Sequence, residues 1–322
     1  MKQKKTRKEN IKSGIFQGLL ILSLLFMIVS VSFSWFTSGD HASVSGIQMN
    51  VVEPEKMEVL VGGSMSEGGS FNLQFDQSKP LLALSGNGMS FYAPEIRKDA
   101  NGNLFADVER LNHVITPDTP ASGYADFGAY AIEFTVKSSK ATPLCLYGQS
   151  GEQQAGIFPA PYDAYNDADR PGDDEIDPGY ICGAMRIAIL QKNEQGQYET
   201  KLIWAPDVTT ELTTSNGTSS VKPLGSAETT MTIRGFGEDP TNPAKVTASS
   251  TLGGVTYVFG KLGDKVVVGD PMRKSEALDE SEQSDLSYQG DYRLVIWIDG
   301  EDRECSNELM DGLVQIILHL GL

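Results

Sequence analysis

The side chains best suited to chemistry are few and scattered. The 322-residue chain holds three histidines, His41, His113 and His319, and three cysteines, Cys145, Cys182 and Cys305. Zinc hydrolysis needs two histidines one helical turn apart with a glutamate beside them, so that the metal is gripped from one face and its water is activated. None of these histidines has that neighbourhood. A serine hydrolase needs a strained G-x-S-x-G elbow, and the sequence contains none. Phosphate cradles fail too: Gly254 to Lys261 has the wrong glycine spacing, with Leu262 where Ser or Thr belongs, and Gly235-Phe236-Gly237 soon meets Pro240. The expectation is a protein that is not an enzyme, with no catalytic residues and no cofactor.

One run does carry ligand chemistry. Asp163, Asp167, Asp169, Asp173, Asp174, Glu175 and Asp177, with Asn166 and Gly172, offer hard oxygen ligands of the kind that wrap calcium. Their spacing is not that of an EF-hand, so a solvated acidic loop and a calcium loop both remain open. The cysteines are too few for a disulfide-stapled scaffold, though an oxidising exterior permits one bridge. Cys182 with Cys305 is the candidate disulfide, and three free thiols fit the sequence equally. Trp204 and Trp297 fall within strand patterns, where a core role outweighs stacking on a sugar ring.

Charge narrows the partners. The formal net charge is −17; six of the 26 basic residues but only one of the 43 acidic ones lie within the first 34 positions, which leaves the remainder at −22. Such a surface repels nucleic acid and anionic headgroups. Lys2, Lys4, Lys5, Arg7, Lys8 and Lys12 precede an uncharged stretch, within which Ile15 to Phe36 is mostly apolar. At about 1.5 Å per residue this run reaches roughly 33 Å, enough for a bilayer core. The positive-inside rule then keeps the basic tail in the cytoplasm and sends the rest out. Ser32 and Ser34 also suit the −3 and −1 positions of a signal cleavage after Ser34, so a released form is the alternative.

Beyond this segment the apolar pattern has period two, the mark of strands with one buried face. From Phe127 to Lys137, Tyr130, Ile132, Phe134 and Val136 alternate with Ala131, Glu133, Thr135 and Lys137. Similar patterns run from Val44 to Val52, Met57 to Val61, Pro143 to Tyr147, Ile181 to Leu190, Tyr198 to Trp204, Thr229 to Arg234, Val255 to Phe259, Tyr292 to Asp299 and Leu313 to Leu320. Ser306 to Met310 suits one helical turn. The expected fold class is all-β: an antiparallel jelly-roll-like sandwich with an N-terminal transmembrane helix. The expected organisation is a cytoplasmic tail at 1–14, a membrane or signal segment at 15–36 and one extracellular domain at 37–322.

Three segments together resemble exported, strand-rich Firmicutes proteins of the TasA and camelysin type. These are Ser34-Trp35-Phe36-Thr37 leading into Ala42 to Val52; Met185-Arg186-Ile187-Ala188 to Ile203-Trp204-Ala205-Pro206; and Val295-Ile296-Trp297-Ile298-Asp299-Gly300 through Asp302, Cys305 and Asn307 to the last strand. The resemblance implies a jelly-roll domain that polymerises by donor-strand exchange, as a biofilm-matrix or fibre subunit. Ile47, Met49 and Val51 on one face, with Gln48 and Asn50 on the other, suit such a strand. They are the candidate contacts for self-association or for other surface proteins. A membrane-anchored binding module for cell-wall glycan or a host ligand, using the loops between residues 62 and 125, is the alternative.

Recovered from its native cells, the intact chain is expected in the membrane fraction with its basic N-terminus retained. Mass spectrometry and N-terminal sequencing decide this, and a chain that starts near Trp35 and lies in the medium would establish cleavage instead.

Overall fold

The computed structural model describes residues 43–52, 57–62, 64–65, 70–73, 81–98, 104–159, 183–206, 210–215, 218–223, 230–236, 243–275, 286–300 and 313–322. The expected membrane segment and the helical turn at Ser306 to Met310 lie outside these residues. No helix among the described residues is long and apolar enough to cross a membrane. The chain divides into two compact units. The described part of the first is residues 95–98 and 104–108, two extended segments. The second, residues 40–94 and 109–322, contains the core described below.

The fold is all-β. Its centre is the twelve-residue strand Tyr288–Asp299, whose run Leu294-Val295-Ile296-Trp297-Ile298 has no polar face. An uninterrupted apolar strand needs cover on both sides, and every one of these five residues is at most 4% exposed. Met185–Lys192 pairs antiparallel along one flank, from Met185 opposite Ile298 to Gln191 opposite Tyr292. Tyr130–Ser138 pairs antiparallel along the other, from Tyr130 opposite Ile296 to Ser138 opposite Tyr288. The sheet continues through Tyr198–Ala205 to Thr256–Phe259 on the first side and through Met57–Val61 on the second, while Ala83–Gly86 joins the far end of the central strand.

One face of this sheet presents Ala188, Leu190, Ile203, Ala205, Val295 and Trp297, packed with Phe91, Tyr124, Met231, Ile233 and Tyr257. Phe91 meets Trp297 edge-on with ring centres 5.1 Å apart, the geometry that the ring quadrupoles favour. The opposite face bears Ile187, Ile189, Leu202, Trp204, Leu294 and Ile296, all buried. There Tyr292 lies against the backbone of Leu144 in the second sheet, and burial pushes its hydroxyl pKa up. That second sheet runs Val266–Val268, Leu144–Tyr147, Leu313–Gly321, Ser43–Val51, Ser70–Leu73, with Gly156–Pro159 also paired to Leu313–Gly321.

A buried cation pins several elements of the large sheet together. Arg293 on the central strand donates to Glu133 Oε1 at 2.7 Å, to the Thr119 carbonyl at 3.1 Å and to the Tyr124 hydroxyl at 3.3 Å. Its guanidinium also lies 4.2 Å from the ring centre of Tyr198. Planarity lets it serve an acid, a carbonyl and a ring at once. Burial, reinforced by Glu133, pushes the Tyr198 hydroxyl up to about 12.

The sheets are mixed, which corrects the expectation of an antiparallel arrangement. Ser43–Val51 runs parallel to Leu313–Gly321, Tyr198–Ala205 parallel to Thr256–Phe259, and Tyr288–Asp299 parallel to Ala83–Gly86. Each pair joins strands distant in sequence, so no hairpin dictates direction. The expected strand starting near Phe127 instead begins at Tyr130, after a short helix at Ala121–Tyr124 and a 3-10 turn at Ala125–Phe127.

Replacing Trp297 with Ala is expected to cost roughly 3–5 kcal/mol of folding stability. Trp297→Phe is expected to cost clearly less, because the indole N–H has no partner to lose. Chemical denaturation of both variants measures the difference.

Candidate functional site

The three candidate contact residues lie on the strand Ser43–Val51. Ile47 stands opposite Ile316, Met49 opposite Leu318 and Val51 opposite Leu320 in the parallel pairing. On the other flank Ile47 to Asn50 pair antiparallel with Leu73 to Ser70. Ile47 and Met49 are 1% exposed and Val51 8%. The structure therefore brings all three together, in the core of their own chain. A register shift between Val44 and Gly46 explains why Val44 is buried as well: one inserted residue returns the side-chain alternation to the same face. The second sheet ends at Val266–Val268, where Val267 is 48% exposed.

The opposite face of the same strand builds a closed polar network. Gln48 Nε2 donates to Asn50 Oδ1 at 3.1 Å, and Gln153 Nε2 donates back to Gln48 Oε1 at 3.2 Å. Asn50 Nδ2 donates to Gln153 Oε1 at 3.0 Å and lies 3.1 Å from His319 Nδ1. His319 Nε2 lies 2.9 Å from the Gln153 carbonyl. A carbonyl can only accept, so Nε2 carries the proton and Nδ1 accepts from Asn50. The ring is fully buried, and that desolvation lowers its pKa below the ordinary histidine value, against the opposing pull of the Gln153 carbonyl. A second proton, on Nδ1, would face the Asn50 amide hydrogens, donor against donor.

The remaining residues with chemical potential are not gathered into a centre. His113 stacks on Tyr92 with ring centres 4.7 Å apart and is exposed. Cys145 is a buried free thiol whose pKa burial pushes up, with Lys265 pulling the other way. His41, Cys182, Cys305 and the acidic run from Asp163 to Asp177 lie outside the described residues. Among the described residues, no group of three or more His, Cys, Asp or Glu is placed to hold a metal ion. Arg186, 1% exposed, lies 3.4 Å from Asp299 at one end of the paired Met185–Lys192 and Tyr288–Asp299 strands.

Sequence reasoning missed a recess of about 280 Å³, lined by residues 191–193, 273–275 and 289–291. Its three segments are distant along the chain, and only pairing of the strands assembles them. Comparison with known protein families, with curated proteins and with solved structures finds no match for this chain.

The His319 network has a pH signature. The fold holds the neutral ring, so as pH falls through about 6.5 the unfolded chain takes up the proton first. The stability that His319 contributes is complete above that value and declines as pH drops towards the lowered folded pKa. Denaturation of wild type and His319→Gln between pH 5 and 8 is expected to show a stability difference that grows in favour of wild type as pH rises. A difference that does not vary with pH would mean that His319 does not titrate in this window.

Proposed function

We propose that this chain is a cell-surface structural protein, a biofilm-matrix or fibre-type subunit whose jelly-roll-like sandwich engages other copies through a sheet edge. The basic tail and apolar run at the N-terminus support a place at the outer face of a Gram-positive-type cell membrane, held there or released after cleavage near Ser34. Function rests on assembly rather than catalysis in this reading.

The observation that carries it is the position of Ser43–Val51 between Leu313–Gly321 and Ser70–Leu73. The neighbour on one side is the strand Leu313–Gly321, far away in sequence, and the pairing is parallel. No tight hairpin fastens the two. If the first strand withdraws, it leaves a slot walled by Ile316, Leu318 and Leu320, which the same strand from a second copy fills with identical contacts. Exchange of an identical element costs little in contact energy because bonds lost within one copy are regained between two. Ile47, Met49 and Val51 are then the donor contacts.

A covalent lock tests this. Gln48 stands opposite Asn72 in an antiparallel pair, a separation of about 4.5–5.5 Å between Cα atoms that a disulfide can span. In a background with Cys182 and Cys305 replaced by Ser, Gln48→Cys with Asn72→Cys is expected to block polymerisation when oxidised and restore it when reduced. Light scattering and electron microscopy read the result. Equal polymerisation in both states would sink strand exchange, and loss of that assembly in Val267→Lys would move the contact to the open edge at Val266–Val268.

A further inference from the structure

The apolar row of Ser43–Val51 does not by itself choose a register. Ile47, Met49 and Val51 stand opposite Ile316, Leu318 and Leu320, and Val314 and Leu322 continue the apolar alternation at either end of that row. Sliding the first strand by two residues keeps every side chain on its own face. Ile47, Met49 and Val51 then stand opposite Val314, Ile316 and Leu318 one way, or Leu318, Leu320 and Leu322 the other. Each arrangement sets apolar against apolar. Burial of the row alone favours the native register and both slips, and it favours any foreign strand with three alternate apolar residues.

Asn50 and His319 break the tie. They are directly opposite one another in the parallel pairing, and the histidine is fully buried. Asn50 uses its whole amide at this point: Nδ2 donates to Gln153 Oε1 at 3.0 Å and to His319 Nδ1 at 3.1 Å, while Oδ1 accepts from Gln48 Nε2 at 3.1 Å. His319 Nε2 is already committed to the Gln153 carbonyl. A slip one way sets Val52 opposite the ring and Asn50 opposite Ile317, and Val52 has no side-chain donor. A slip the other way brings Gln48 to the ring, but carries Asn50 about 6–7 Å beyond Gln153. A buried acceptor left without a donor costs its full desolvation. A single polar residue in the apolar seam of a coiled coil fixes register by the same means.

We infer that Asn50 and His319 are the selectivity pair of the strand slot, which accepts in one register a strand that presents a side-chain amide opposite His319. The partner it fits is the first strand of a second copy of this chain. This inference rests on the strand exchange proposed above and adds what that reading lacks, a means of telling the right strand from a merely apolar one. Ile47, Met49 and Val51 supply the burial, and Asn50 decides which strand, in which alignment, receives it. Gln48 and Gln153, both half-buried, brace the amide.

The same pair closes within one copy and between two, so a substitution weakens both states alike, and only the mixing of unlike copies isolates selection. Asn50→Leu with His319→Leu in one chain removes both partners together, a change that is close to neutral where removal of one is not. A junction between this variant and wild type places asparagine against leucine in one direction and leucine against His319 in the other, each with a buried polar group unpaired. Full-length chains in detergent at about pH 8, where the imidazole is neutral, are polymerised as mixtures of isotope-labelled wild type with an N-terminally tagged copy of either wild type or the double variant. Capture on the tag followed by mass spectrometry reads the share of labelled chain. The tagged variant is expected to hold at least about tenfold less labelled wild type than tagged wild type does, and to capture its own labelled form in preference. Circular dichroism establishes that the variant is folded; if the leucine pair is not, Asn50→Val with His319→Phe, which keeps a ring in the place of the imidazole, is read in the same way. Wild type taken up as freely by the variant as by itself, in material that the oxidised Gln48→Cys with Asn72→Cys lock still blocks, would overturn the selectivity pair and leave strand exchange standing. Wild type that polymerises equally with the lock closed would overturn both.

Discussion

The structure depends on one constraint: two adjacent strands with no polar face. Ile187-Ala188-Ile189-Leu190 and Leu294-Val295-Ile296-Trp297-Ile298 lie side by side and are buried on both surfaces. At about 25 cal/mol per Å² of apolar surface, exposing either face would forfeit about 1.5–3 kcal/mol per large side chain. On one face Tyr292 lies against Leu144 of the second sheet, and on the other Tyr124 of the short helix, the paired strands Thr230–Ile233 and Ala244–Thr247 and the segment around Tyr257 join the core. The buried arginine belongs to the same logic, since a cation beside such a core is tolerable only where its charge and donors are matched. Arg293 meets that condition through Glu133, Thr119 and Tyr124.

Much of this was legible in the sequence where the signal is local. The alternation around Phe134 gives a strand at Tyr130–Ser138, and the pattern at Met57 to Val61 matches its strand residue for residue. Leu104–Ile115 was not foreseen, because Asp107, Glu109, Arg110 and Asn112 break any apolar period. Strand direction was misread for a different reason. Periodicity tells which face is buried and nothing about the partner, so the parallel pairing of Ser43–Val51 with Leu313–Gly321 is invisible until the chain is folded.

The same limit applies to the sites. Ile47, Met49 and Val51 could be picked out because they share a face of one strand. The polar network draws on residues 48, 50, 153 and 319, and the recess on three segments beginning at 191, 273 and 289. Neither leaves a spacing that can be read along the chain.

Pairing strands from opposite ends of the described chain also sets a timetable. Asn50 and His319 touch although 269 residues separate them. At a synthesis rate of about 5–20 residues per second, the first strand waits roughly ten to fifty seconds for its parallel partner to be made. Over that interval its apolar row has no parallel partner, while each nascent chain close by carries an identical strand. Under the proposed strand exchange, crowding of nascent chains would then govern whether a strand closes on its own sheet or on a neighbour's, a choice that is kinetic before it is energetic.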